Sequence, residues 1–180
     1  MVTAAHRVWV LPATREFPER LNDPLLRWQF PEDMWAELQR SLNGFEASAY
    51  FKDHEREESN ADLSIGQWIR AGAVIGMGTD SGSPLNFHTD ALWREAKAFV
   101  DHGMPASRAI VALTAVGAQV LGKQKDLGTI EQGKLADIAV VMGNPLFDIV
   151  ALSNVLVVVK DGVLYKSAKP LDLRMLPTAQ

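Results

Sequence analysis

The residues most able to do chemistry sit in one short stretch. Residues 73–77, Ala-Val-Ile-Gly-Met, form an apolar run that breaks into Gly78-Thr79-Asp80-Ser81-Gly82, the signature of a buried strand opening into a polar turn. That places Asp80 at the C-terminal end of a strand. In parallel α/β architectures chemistry gathers at this edge, because loops there present side chains that the packed sheet holds rigid. A carboxylate so placed can ligate a metal, exchange a proton with water, or cap the next helix, and Asp, Ser and Gly after a strand are also ordinary turn residues. The local residues leave these roles open. Ser81 is positioned to orient the Asp80 carboxylate. His88, on the same loop, either hydrogen-bonds a substrate carboxylate or carbonyl or merely flanks the helix that begins near Asp90. His6 precedes a β-prone run, whereas a ligand belongs after a strand, so it is set aside.

One other acidic grouping carries less. His54-Glu55-Arg56-Glu57-Glu58 lacks the second histidine four residues on that a zinc helix needs, position 58 being Glu, and reads as a solvated charged helix. With no cysteine in the chain, any metal rests on carboxylate, imidazole and water.

The elements that must hold Asp80 follow from pattern. Residues 8–11, Val-Trp-Val-Leu, stopped by Pro12, read as the strand beside 73–77. Prolines 18, 24 and 31 cut residues 15–60 into short pieces, with a helix over 31–40 that has proline in its first turn and acids near its positive end. Trp28, Phe30 and Trp35 in this insertion either shape a substrate pocket or form a satellite core, the second being the simpler reading. A helix capped by Asn60 runs to Ala71-Gly72. Helices are expected over 90–102, 105–113 and 114–121, the first with Leu92, Trp93, Ala96, Phe99 and Val100 on one side and Arg94, Glu95 and Lys97 on the other. Short β-runs then follow at 138–141, 155–159 and 163–165, with a hairpin turn at Asp161-Gly162. The tail 170–180 is expected to be loosely attached.

Taken in order, Gly78-Thr79-Asp80, the helix pair after it, residues 127–141 (Leu-Gly-Thr-Ile-Glu-Gln-Gly-Lys-Leu-Ala-Asp-Ile-Ala-Val-Val), Gly143-Asn144-Pro145-Leu146 and Lys160-Asp161-Gly162 resemble the C-terminal part of the amidohydrolase superfamily. Within it the series is most similar to the imidazolonepropionase and Xaa-Pro dipeptidase branch. The resemblance covers residues 62–166. It implies an α/β fold: an incomplete C-terminal part of a (β/α)8 barrel over residues 1–122, with a long insertion at 15–60, followed by a small β-sandwich segment and tail over 123–180. It implies that residues 8–11 and 73–77 are the seventh and eighth barrel strands. It also implies that Asp80 is both the last metal ligand, of a divalent ion taken to be zinc, and the group that exchanges a proton with the nucleophilic water. His88 would bind substrate, Ser81 would support Asp80, and Asp137 would belong to the sandwich, away from the metal. The reaction implied is hydrolysis of carbon–nitrogen bonds in small amides, cyclic amides or dipeptides.

Length sets a limit on this reading. The chain has 180 residues, whereas a full barrel takes about 250. The family's remaining ligands have no counterpart here, and an ion needs at least about three protein ligands beside its water. Three functions therefore compete: the C-terminal piece of a complete hydrolase, one half of a split enzyme with a separate partner chain, or a non-catalytic interaction protein. An open barrel edge exposing Val8, Val10, Val74 and Met77 would invite a partner chain or a homo-oligomer. The net charge of −4 with scattered lysines and arginines argues against nucleic acid, and no run approaches the ~18 apolar residues of a membrane helix. The first eleven residues lack the pattern of a signal peptide, so a cytoplasmic protein is expected unless a signal stands upstream.

Overall fold

The computed structural model describes residues 2–47, 49–52 and 54–167. Strand β1 (Val2–Thr3) leads into α1 (His6–Glu16), a 3-10 turn (Pro18–Asn22), α2 (Pro24–Trp28), α3 (Glu32–Leu42) and α4 (His54–Arg70). Strand β2 (Gly76–Met77) then precedes α5 (Ala91–Asp101), α6 (Ala106–Leu113) and α7 (Ala115–Val120). The chain ends in β3 (Ile138–Val141), a 3-10 turn (Ile149–Ser153), β4 (Val155–Lys160) and β5 (Val163–Ser167). The architecture is mixed α/β. Strands β1 and β2 pair in parallel, Val2 with Gly76 and Thr3 with Met77, and β3-β4-β5 form an antiparallel sheet in that order.

The expected strand at residues 8–11 is helix. Its β-branched residues favour a strand, but tertiary packing decides. As helix, α1 buries Trp9, Val10, Ala13 and Thr14 as one stripe, and the Trp9 indole donates to Glu95 Oε2 at 2.9 Å. Burial of that stripe outweighs Pro12, which lies inside the helix and removes one backbone donor. The parallel partner of β2 is therefore Val2–Thr3, which begins six residues before the expected strand at 8–11. Val10, expected on an open face, is 2% exposed.

The second expected strand is shorter than residues 73–77. The Ala73 carbonyl accepts from Arg108 Nη2 at 2.5 Å, so a side chain on α6 takes a ladder position, and Val74 faces outward. The helix expected to start at Asn60 is the C-terminal part of α4. Asn60 lies inside it, its carbonyl accepting from Ser64 Oγ at 2.8 Å. The end of α4 matches expectation: Gly72, at φ +70, donates to Ile69 O while Ala73 donates to Trp68 O, the paired bonds of a glycine C-cap.

The C-terminal sheet also follows the sequence pattern. Asp161 and Gly162 have φ of 52° and 76°, the left-handed pair that a two-residue hairpin turn needs. Asp137 pins that turn, accepting from Asp161 N at 2.7 Å and from Lys160. Among the described residues the parallel sheet has two strands and the antiparallel one three, so the architecture shows the α/β class and the small sheet. The 3-10 turn after β3 inserts Ile149 into the core shared by α1, α4 and α5. Tail residues 170–180 lie outside the described residues.

The insertion is fastened by one buried side chain. Arg20, 7% exposed, pairs with both Asp90 oxygens at 3.0 Å, donates to Thr14 Oγ1 at 2.6 Å and to Leu85 O at 3.0 Å. It thereby ties the insertion to α1, to the loop after β2 and to the start of α5. Phe30 and Trp35 pack against the core with ring centroids 6.3 Å apart, whereas Trp28 is 85% exposed and takes no part in a satellite core.

Candidate functional site

Because β1 and β2 run parallel, their C-terminal ends release two side chains on the same edge. His6 follows β1 by way of Ala4-Ala5, and Asp80 follows β2 by way of Gly78-Thr79. His6 Nε2 lies 3.7 Å from Asp80 Oδ2, too long for a hydrogen bond but within ion-pair reach. The histidine side chain is 11% exposed and the aspartate 67%, so the pair opens to solvent from the carboxylate side. Asp80 adopts φ 53°, a left-handed conformation that Asp tolerates better than most residues.

His6 is the residue beside Asp80 that sequence reasoning did not bring to this edge. Set aside for standing before a strand, it stands after one, because the strand lies at residues 2–3. Burial lowers its pKa from 6.5, opposed by the Asp80 charge, which raises it, with Arg7 lowering it further. The neutral ring, with a lone pair free on one nitrogen, is thus favoured. Its Nδ1 is buried with no partner among the described residues.

Glu95 lies beneath this edge. It was expected on the polar side of α5, yet it is 0% exposed, accepting from Ala5 N–H and from the Trp9 indole. The pattern that reveals it is Ala91, Glu95, Phe99, a four-residue repeat along the buried stripe. Burial pushes its carboxyl up to about 8, against the two donors that favour the charged form. Glu95 fixes the backbone just ahead of His6 and so sets where that ring can stand.

The loop after Asp80 is braced from within. Ser81 Oγ lies 2.8 Å from Thr79 Oγ1, so its hydroxyl bonds to the loop that carries Asp80. Asn86 Nδ2 donates to Thr79 O at 2.6 Å, Gly82 N to Asn86 O at 2.9 Å and Ser83 N to Asp80 O at 3.3 Å. His88 is exposed and lines a cleft of about 520 Å³ between this loop and the insertion helices.

Among the described residues no three His, Cys, Asp or Glu side chains come together as a metal site. Asp80 and His6 supply two donors, one short of the three that a catalytic zinc centre takes. The donor set among the described residues therefore does not by itself fit a metal centre.

Comparison with known proteins gives a consistent picture. The amidohydrolase family pattern matches residues 31–165, three quarters of the chain. A 5-methylthioadenosine/S-adenosylhomocysteine deaminase of Moorella thermoacetica is 33% identical over 96 residues, 47% of this chain and 22% of that one. A Xaa-Pro dipeptidase crystal structure with bound methionine in its active site is similar at TM-score 0.60 and 32% identity, over 88% of this chain and 34% of that one. A phenylurea hydrolase B structure is similar at TM-score 0.56 and 27% identity, over 60% of this chain and 27% of that one. The chain thus spans about a third or less of the length of these relatives. With the family pattern running from the insertion through the Asp80 loop to the C-terminal sheet, the chain belongs to the amidohydrolase family.

Proposed function

We propose that this chain contributes the Asp80 edge of a hydrolase acting on carbon–nitrogen bonds of small amides, cyclic amides or dipeptides, and that the rest of the active site comes from outside residues 1–180. One observation carries the reading. In a chain of this family, parallel β1 and β2 bring a carboxylate and a predominantly neutral imidazole to within 3.7 Å on one sheet edge. Asp80 takes the proton from an attacking water and returns it to the leaving nitrogen, a role suited to a carboxylate open to solvent on one side. His6 stands beside it as the second donor.

Amidohydrolases generally use a divalent ion, and zinc is the ion proposed here. Two donors do not hold such an ion in a catalytic geometry, so no step is assigned to it within this chain. Residues 1–122 act as the barrel-derived portion and 123–180 as the attached sheet segment. His88 meets substrate at the rim of the cleft, and Ser81 supports Asp80 through the Thr79 loop.

The test is co-expression with the open reading frame directly upstream, or with the missing strands of a close relative, followed by assay on anilides, ureides and Xaa-Pro dipeptides. Hydrolysis that requires both parts and is lost in Asp80→Ala supports the proposal. Two donors alone would also suit a non-catalytic chain, and that second reading prevails if no complementing part restores turnover.

A further inference from the structure

We infer that the cleft between the Asp80 loop and the insertion helices binds a neutral, largely apolar group of one or two rings that presents a single N–H donor to Asn86. The inference deepens the proposed function by naming a substrate class, and it rests on that reading only for the site's role, since binding itself is separable from hydrolysis.

The cleft holds about 520 Å³, within the range of small-molecule sites. Leu26, Phe30, Leu42, Phe51 and Phe87 supply apolar walls, and among the described residues no Asp, Glu, Lys or Arg lines the cleft, His88 standing at its rim. A charged group seated among these walls would lose its hydration with no carboxylate, ammonium or guanidinium among the described lining residues to replace it, so the walls select a neutral group.

Asn86 supplies the polar contact. It is 1% exposed and lines the cleft. Its orientation is fixed by its partners: Nδ2 donates to Thr79 O at 2.6 Å and to Ser83 Oγ at 3.3 Å, and exchanging the amide atoms would set two oxygens against each other. The atom left over is Oδ1, which is buried and has no partner among the described residues. Native structures seldom leave a buried acceptor unmatched, and a donor on a ligand would satisfy this one.

The backbone around it is held under constraint. Leu85, one residue before Asn86, is buried at φ 61°, a conformation that a branched side chain rarely adopts, and its carbonyl is gripped by Arg20 from the insertion. Strain of this kind persists where surrounding structure enforces it, and it collects at ligand-binding loops. Both walls of the cleft are thus locked together five residues downstream of Asp80.

Indole and benzofuran test the assignment, because they share size and shape and differ by N–H against O. Titration of the full 180-residue chain, followed by backbone amide NMR shifts, should show indole binding with shifts centred on the cleft. Benzofuran should bind at least about tenfold more weakly, since its oxygen leaves Asn86 Oδ1 unmatched. Tryptophan at either of two exposed rim positions, Gln29→Trp or Ser41→Trp, should abolish indole binding. Asp80→Ala should bind indole as the parent does. Equal affinity for the two ligands, no binding of either, or indole binding unmoved by both rim tryptophans would overturn the inference. Any of these would leave the role of Asp80 standing, whereas indole binding without hydrolysis in the complemented protein would retain the cleft and refute the catalytic reading.

Discussion

Among the described residues Glu95 carries a strong pH signature. Its folded pKa, about 8, lies above its ordinary 4.5, so its stabilising contribution is complete below pH 4.5 and is lost as pH rises towards and through 8. The linked loss over that window is on the order of 4 kcal/mol. Urea midpoints should therefore fall between pH 5 and pH 8.5, and Glu95→Gln should flatten the profile. Because the lowered His6 pKa contributes with the opposite sign in part of this window, the comparison with Glu95→Gln decides, and equal slopes for parent and variant would contradict the raised Glu95 pKa. At this scale the sequence was partly legible. The strand-then-turn pattern places Asp80 just past a strand's C-terminal end, where it stands, whereas no such pattern places His6, because its position depends on which residues form the preceding strand. Glu95 was assigned to solvent because its charge was weighed above its place in the four-residue repeat.

Arg20 and Gly128 locate the stresses among the elements. Arg20 satisfies Asp90, Thr14 and Leu85 together, so Arg20→Ala removes several hydrogen bonds at once, leaves the largely buried Asp90 carboxylate with Arg94 as its remaining cation, and should cost about 2–4 kcal/mol by denaturant titration. Loss below about 1 kcal/mol would mean that Arg94, the other partner of Asp90, suffices alone. Gly128 sits at φ +93 against α7, where an added Cβ would stand 2.7 Å from Ala118 Cβ and 3.0 Å from Thr114 O. Gly128→Ala should destabilise by at least about 1–3 kcal/mol, from backbone strain together with overpacking, and a neutral effect would show that this loop does not dock as described. Helices α5, α6 and α7 and the three C-terminal strands were readable because periodicity, glycine stops and the Asp-Gly turn agree with one another. Residues 8–11 are β-prone by composition yet helical, through contacts such as that of Trp9 with Glu95 of α5, 86 positions away. The insertion's helix was legible from its proline and acids, but the cleft it forms with the Asp80 loop was not, since no local pattern pairs residues 26–51 with 82–88.

At the scale of the molecule, the family pattern covers three quarters of this chain while the chain covers a third or less of its relatives. Val74 is 64% exposed beside β2, and Val111 on the neighbouring α6 is 48% exposed. An apolar face of this kind beside a two-stranded parallel sheet favours association, so sedimentation should show self-association or capture of a completing chain. A strictly monomeric chain at all concentrations would argue that the sheet edge is closed. The measurement that bears most directly on the central claim is metal content after exhaustive dialysis, read with amide hydrolysis, for the chain alone and with its completing part. The account predicts substoichiometric metal and no turnover for the chain alone, and stoichiometric metal with turnover for the completed protein, both lost in Asp80→Ala. One tightly held metal per isolated monomer, with turnover abolished by Asp80→Ala, would contradict it.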